Sequence, residues 1–167
     1  MNNIHNVLIL CTGNSARSIL AEAIFNRLGK GKFNAWSAGS QPKGQVHPGA
    51  LAQLKLHAFD VSTLRSKSWD EFAIPGAPAM DIVITVCDNA AGETCPLWPG
   101  QPIRAHWGLA DPAAVTSSPL AQEAAFAACF EALTKRIEKV VALPVETFDR
   151  MALQHALRAI HQEADAT

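Results

Sequence analysis

Two unbroken aliphatic runs constrain this chain more than any other feature. Val7-Leu8-Ile9-Leu10 and Ile82-Val83-Ile84-Thr85-Val86 are each followed by a cysteine, Cys11 and Cys87. A strand with one face in water alternates apolar and polar residues, whereas a run without alternation fits a strand buried on both faces, and such strands build parallel sheets covered by helices. Two further short strands are expected at Phe33 to Ala38 and Ile103 to Trp107. Between and after them, apolar residues recur at helical spacing. Leu20, Ile24 and Leu28 follow the first strand and stop at Gly29 and Gly31. Leu51, Leu54 and Leu56 follow His47-Pro48-Gly49, with Pro48 tolerated in a first turn. Phe126, Phe130, Leu133, Ile137 and Val141 form a stripe over Pro119 to Val141, ended by Pro144. Leu153, Leu157 and Ile160 share a face of a last helix expected over Val145 to Gln162, beyond which the tail frays.

Strands alternating with helices predict a single-domain, doubly wound α/β fold whose mostly parallel sheet is flanked by helices, with any ligand beyond the carboxyl ends of the strands. Residues 1–143 are expected to form the domain, and the C-terminal helix and tail, 144–167, to pack on it. At 167 residues and 49% hydrophobic side chains the chain can bury one sizeable core. Fourteen basic against fifteen acidic residues, with no basic cluster, exclude nucleic acid as a partner. The apolar run near the N-terminus is too short for a signal core or a membrane span, so no membrane association and a cytoplasmic location are expected.

The four cysteines, Cys11, Cys87, Cys95 and Cys129, contain no C-x-x-C pair. A disulfide scaffold and a structural zinc ribbon both lack support, which leaves redox or nucleophilic chemistry to consider. The segment from Asp88 to Gln101, rich in Gly, Pro, Asn and Ala, reads as a mobile loop that carries Cys95. Cys129 lies in a helix stripe and reads as an inert packed thiol. His106 and Trp107 read as a hydrogen-bonded histidine beside a core aromatic.

Cys11-Thr12-Gly13-Asn14-Ser15-Ala16-Arg17-Ser18 joins the first strand to the first helix. A loop that opens a helix aims unpaired backbone N–H groups and the helix dipole at one spot, a site for a tetrahedral oxyanion. Gly13 and Asn14 tolerate the positive φ angles such a cradle needs. Arg17 can grip two anion oxygens with its planar fork, and Ser18 is placed to hydrogen-bond the cysteine sulfur. Cysteines in such surroundings have pKa values of roughly 3.5–7.5, so Cys11 is expected to be an ionised nucleophile for an arsenic or phosphorus centre. The alternative, a buried strand-end cysteine beside a surface arginine, leaves the strand-turn-helix context unexplained. A Walker-type loop would need a second Gly and a Lys that are absent here.

CTGNSARS resembles the active-site loop of low-molecular-weight protein tyrosine phosphatases and of the arsenate reductases that share their fold. The likeness extends over nearly the whole chain, through Trp36-Ser37-Ala38-Gly39 and through Asp111-Pro112, which matches the acid loop. It implies the low-molecular-weight phosphatase-like fold, with Asp111 as the acid. Phosphatases of this type carry tyrosines beside that acid, and this chain has none. Instead Val86-Cys87-Asp88-Asn89-Ala90-Ala91-Gly92-Glu93-Thr94-Cys95-Pro96 and His106-Trp107-Gly108 resemble the redox loop and following strand of arsenate reductases. The resemblance therefore implies reduction of arsenate to arsenite in arsenic detoxification. In this scheme Cys11 forms a thiol-arsenate adduct, Cys87 resolves it, and Cys95 carries the disulfide outward.

Phosphate and sulfate would compete with arsenate, and weak phosphatase side activity is expected. No bound cofactor is expected. Thioredoxin is the implied external reductant. Seven residues separate Cys87 from Cys95, a longer spacing than in the best-known thioredoxin-coupled relatives, and this keeps glutaredoxin or a low-molecular-weight thiol open. Ala16 stands where several relatives have a further cysteine. Some members hold potassium through residues corresponding to Asn14, Glu22 and Ser37; Lys67 would repel that ion, so no metal is expected. The competing readings are a low-molecular-weight protein tyrosine phosphatase and a non-catalytic oxyanion or redox sensor. A sensor would need neither a nucleophile nor an acid.

Overall fold

The computed structural model describes residues 4–87, 98 and 100–165. Cys95 and most of the loop expected over 88–101 lie outside the described residues. Strands β1 (His5–Leu10), β2 (Phe33–Ala38), β3 (Ile82–Thr85) and β4 (Ile103–His106) form one sheet in the order β2-β1-β3-β4. Every pairing is parallel. Among the described residues the α-helices are α1 (Arg17–Leu28), α2 (Pro48–Leu56), α3 (Pro119–Ala142) and α4 (Arg150–Asp165). This is the parallel α/β fold that the two aliphatic runs predict.

The burial of β1 explains its composition. Val7, Leu8, Ile9 and Leu10 are at most 1% exposed, because the strand has a neighbour on each edge and apolar layers on both faces. Val7, Ile9, Ile82, Ile84, Ile103 and Ala105 join the apolar faces of the helices in one cluster. Leu8, Leu10 and Val83 pack on the other face with Ala38, Trp69, Phe72, Met80 and Trp98. A 3₁₀ turn over Trp69–Phe72 supplies part of that second layer.

The chain runs from β1 to β2 on one side and then crosses to β3 on the other. The sheet therefore reverses its winding between β1 and β3, where their carboxyl ends diverge and a parallel sheet offers a crevice. Leu10 pairs with Thr85 at that edge, and the N–H of Val86 donates to the carbonyl of Leu10 at 2.9 Å. Cys11 and Cys87 thus emerge side by side at the switch point.

The last helix begins at Arg150 rather than Val145. Pro144 is followed by a 3₁₀ turn at Val145–Thr147 and extended backbone at Phe148. The Asp149 carboxylate then accepts the N–H of Ala152 at 2.7 Å, the bond of a helix-starting residue. Apolar spacing marks which face is buried but not where such a cap falls. Helix α4 packs on β4 and α3. Its Gln154 Oε1 accepts the N–H of Arg104 on the sheet edge, and its Leu157 carbonyl accepts the indole N–H of Trp107 at 3.0 Å. Leu153, Leu157 and Ile160 lie in the main core. Among the described residues no helix is long and apolar enough to cross a membrane.

Leu157 is fully buried, so Leu157→Ala is expected to lower unfolding free energy by about 2–5 kcal/mol, read from urea titration. A loss under about 0.5 kcal/mol, the range of surface substitutions, would mean that α4 is not part of the cooperative core.

Candidate active site

The loop from Cys11 to Ala16 is held from outside by its carbonyls. The N–H groups of Gln41, Lys43 and His47 donate to the carbonyls of Thr12, Gly13 and Ser15 at 2.9, 3.0 and 2.8 Å. The Ser66 hydroxyl adds a second donor to the Gly13 carbonyl at 3.2 Å. A peptide plane whose carbonyl is tied outward turns its N–H the other way, so this lacing directs the loop amides toward its centre. The approach is close. A Cβ on Gly39 would lie 2.4 Å from the Thr12 carbonyl oxygen and 2.6 Å from that of Cys11, so only glycine fits after β2.

Asn14 has φ of 44° and is fully buried. Its Nδ2 donates to Ser18 Oγ at 2.8 Å and to Ser37 Oγ at 3.0 Å, while its Oδ1 accepts the N–H of Lys67 at 2.9 Å. Three bonds hold the side chain and with it the left-handed backbone. The Ser18 hydroxyl oxygen accepts from Asn14, and the expected bond from Ser18 to the Cys11 sulfur is not formed. Helix α1 opens at Arg17 with no side-chain cap and no acid in its first turn. Its dipole is therefore not offset by a carboxylate of its own, and an anion in the loop would take that place.

A cavity of about 250 Å³ lies over the loop, lined by Cys11 to Arg17 and by Gln41, Lys43, Cys87 and Asp111. Arg17 reaches over it from α1. Its Nη1 donates to the Leu109 carbonyl at 2.8 Å, and Leu109 is itself bonded to the Val86 carbonyl. Its Nε is buried without a partner, the condition of a donor waiting for an acceptor. Asp111 Oδ2 lies 3.7 Å from Arg17 Nη2, and Oδ1 accepts the N–H of Ala113 at 3.0 Å, which starts the turn at Pro112–Ala114. The turn that Asp111 starts is thereby anchored to the same arginine that borders the cavity.

The second cysteine alters the first. A side-chain hydrogen bond with Cys87 and then burial push the Cys11 thiol well above its ordinary range, against the pull of Arg17 and the Gly13 N–H. The low pKa expected from the loop alone does not hold in this arrangement. Arg17 and the loop amide favour the thiolate, but the neighbouring thiol that follows β3, together with burial, outweighs them. The Thr12 N–H donates to Cys87 Sγ at 3.3 Å, so the amide after the first cysteine holds the second.

Gln41, Lys43 and Gly39 were not legible as site residues from local chemistry; the signal was their place after β2, one strand from the loop. Cys129 is buried on α3, and burial pushes its thiol up to about 12. His106 Nδ1 lies 2.7 Å from Thr85 Oγ1 at the ends of β4 and β3. Among the described residues, no group of three or more His, Cys, Asp and Glu side chains could hold a metal ion.

A parallel α/β sheet with a cysteine-headed, arginine-backed anion loop at its switch point defines a class of thiol enzymes that act on oxyanions. Residues 6–152 match the family model described as low molecular weight phosphotyrosine protein phosphatase. The chain belongs to that family. The arsenate reductase of Halalkalibacterium halodurans is 33% identical over 132 residues, covering 79% of this chain and 91% of that relative. The solved thioredoxin-dependent arsenate reductase of Corynebacterium glutamicum superposes with a TM-score of 0.60 at 25% identity, over 82% of this chain and 60% of that one. A low molecular weight protein tyrosine phosphatase from T. tengcongensis superposes with a TM-score of 0.63, also at 25% identity, over 82% and 97%. Folds this similar serve both activities, so the backbone alone does not choose between them.

Because the bond with Cys87 is the first cause of the raised Cys11 thiol, Cys87→Ala is expected to move the midpoint of Cys11 alkylation to lower pH. Iodoacetamide labelling with peptide mass mapping reads the midpoint at Cys11 alone. An unchanged or higher midpoint would mean that burial, and not the second thiol, sets its acidity.

Proposed function

We propose that this chain is an arsenate reductase that uses Cys11, Cys87 and Cys95 in sequence and draws its electrons from an external dithiol. The observation that carries the reading is Cys87 beside Cys11 in the cavity. Hydrolysis of a phosphate ester has no use for a second thiol on the nucleophile, whereas reduction requires one. The relatedness to named arsenate reductases supports the same choice.

Arsenate enters the loop with its oxygens on the inward amides and the open donors of Arg17. The Cys11 thiol passes its proton to an oxygen of the bound arsenate, the thiolate attacks arsenic, and an arsenate hydroxyl takes a proton from Asp111 and leaves as water. Cys87 then attacks the Cys11 sulfur. The sulfur–arsenic bond breaks with its electron pair going to arsenic, which falls from the pentavalent to the trivalent state and departs as arsenite. Two thiols have become one disulfide, which balances the two electrons gained. The Cys95 thiolate next attacks Cys87, releasing Cys11 and leaving a Cys87–Cys95 disulfide for the external reductant.

Thioredoxin is the reductant favoured by the named C. glutamicum relative, with glutaredoxin or a small thiol as the alternatives to test. A cytoplasmic setting suits the scheme, since all three cysteines must start each cycle reduced. Ser18 acts through Asn14 rather than on the sulfur. Phosphate and sulfate, as tetrahedral oxyanions, compete for the loop.

Single-turnover mass spectrometry with arsenate tests the order of events. Cys95→Ser is expected to lose two protons as the Cys11–Cys87 bond forms and then stall, whereas Cys87→Ser forms no such bond. Cys95→Ser should keep whatever aryl-phosphate hydrolysis the wild type has, and Cys87→Ser should not lose it, since a more acidic Cys11 remains the nucleophile. Repeated turnover of arsenate by both at the wild-type rate would contradict the relay.

A further inference from the structure

Beneath the loop, away from the cavity, lies a buried ion pair that the reaction scheme does not use. Glu22 on α1 and Lys67 are each 7% exposed. Lys67 Nζ is 3.3 Å from Glu22 Oε1 and also donates to the Arg65 carbonyl at 3.3 Å. The same carboxylate oxygen accepts the Ser37 N–H at 2.6 Å and the Ser37 hydroxyl at 3.0 Å. Arg65 is occupied elsewhere, in a two-pronged pair with Glu71 at 2.6 and 3.0 Å. A charged pair this deep is costly to bury, and burial alone does not make it stabilising.

Its connections lead to the oxyanion loop by two routes. Through Glu22 and Ser37 the ammonium reaches Asn14 Nδ2, and through its own backbone N–H Lys67 holds Asn14 Oδ1. Asn14 is the residue whose positive φ bends the loop into a cradle. The oxygens of Glu22, Ser37 and Asn14 are also the donor types that would suit a potassium ion. That ion does not fit here, because the Lys67 ammonium already stands against Glu22 Oε1 and would repel it.

We propose that the Lys67 ammonium is a cation built into the chain beneath the oxyanion loop: it positions Asn14 through Glu22 and Ser37, and makes anion binding independent of any inorganic monovalent ion. Lys67 is a positioning residue, since it touches neither substrate nor reacting sulfur. Without the ammonium, the buried Glu22 carboxylate loses its counter-charge, and a cation from solution can enter the vacated place beside the Arg65 carbonyl. Potassium, close to ammonium in size and charge, is the ion to offer it. The proposal rests on reading the loop as an oxyanion cradle.

The experiment measures sulfate affinity by calorimetry in choline chloride and in potassium chloride at equal ionic strength, with thermal melts alongside. The wild type is expected to bind sulfate equally in both salts. Lys67→Met is expected to bind about tenfold or more weakly in choline chloride, the size typical of losing an outer residue that orients a binding site, and to recover much of that loss in potassium chloride. Wild-type affinity that rises with potassium would overturn the proposal. So would a Lys67→Met protein that matches wild type in choline, or one equally impaired in both salts. Should Lys67→Met fail to fold, Lys67→Asp sets a second carboxylate beside Glu22 and is expected to melt higher in potassium than in choline; equal melts would overturn the proposal. A wild type that binds no sulfate in either salt would instead overturn the cradle, and the proposal with it.

Discussion

Everything this molecule offers an anion depends on three carbonyl oxygens being held away from it. The hydrogen bonds from Gln41, Lys43 and His47 to the Thr12, Gly13 and Ser15 carbonyls turn the loop inside out relative to a free chain. Backbone amides usually find partners in secondary structure, and here the fold directs several of them toward an open cavity. The strand order makes the lacing available. Because β2 lies next to β1, the segment leaving β2 passes directly over the loop leaving β1, at a distance that only Gly39 permits.

The same topology brings the second thiol. β3 lies on the other side of β1, so Cys87 arrives beside Cys11 without either being adjacent in sequence. The consequence is electrostatic as well as geometric. A lone cysteine at the mouth of an amide-lined loop beside an arginine would ionise readily, but a second thiol sharing a hydrogen bond with it opposes that ionisation. Within the proposed reduction, the sulfur needed for the second step is already in place for the first.

Much of this was legible in the residues. The unalternating runs at Val7–Leu10 and Ile82–Val86 announced buried parallel strands, and the spacing of Cys11, Arg17 and Ser18 announced a loop opening a helix. Asp111-Pro112 was readable as a turn start, which is the bond that Asp111 makes to Ala113. What eluded the sequence lies between segments. Ser18 looked like a partner for sulfur because it follows the arginine, yet its hydroxyl oxygen accepts from Asn14. The raised Cys11 thiol, the lacing by residues 41–47 and the Glu22–Lys67 pair all join residues that come close only once the strand order is known. The start of the last helix at Arg150 was hidden because Asp149, and not the apolar spacing, sets it.

The fold sets the amides from Gly13 to Ser18 to converge on one oxyanion. Amide proton and nitrogen shifts followed during titration of the reduced protein with sulfate test this most directly. Gly13, Asn14, Ser15, Ala16, Arg17 and Ser18 are expected to shift downfield together along one saturating curve, with Arg17 Nε–H moving on the same curve. Saturation confined to Arg17 and Lys43, with the loop amides unmoved, would contradict it.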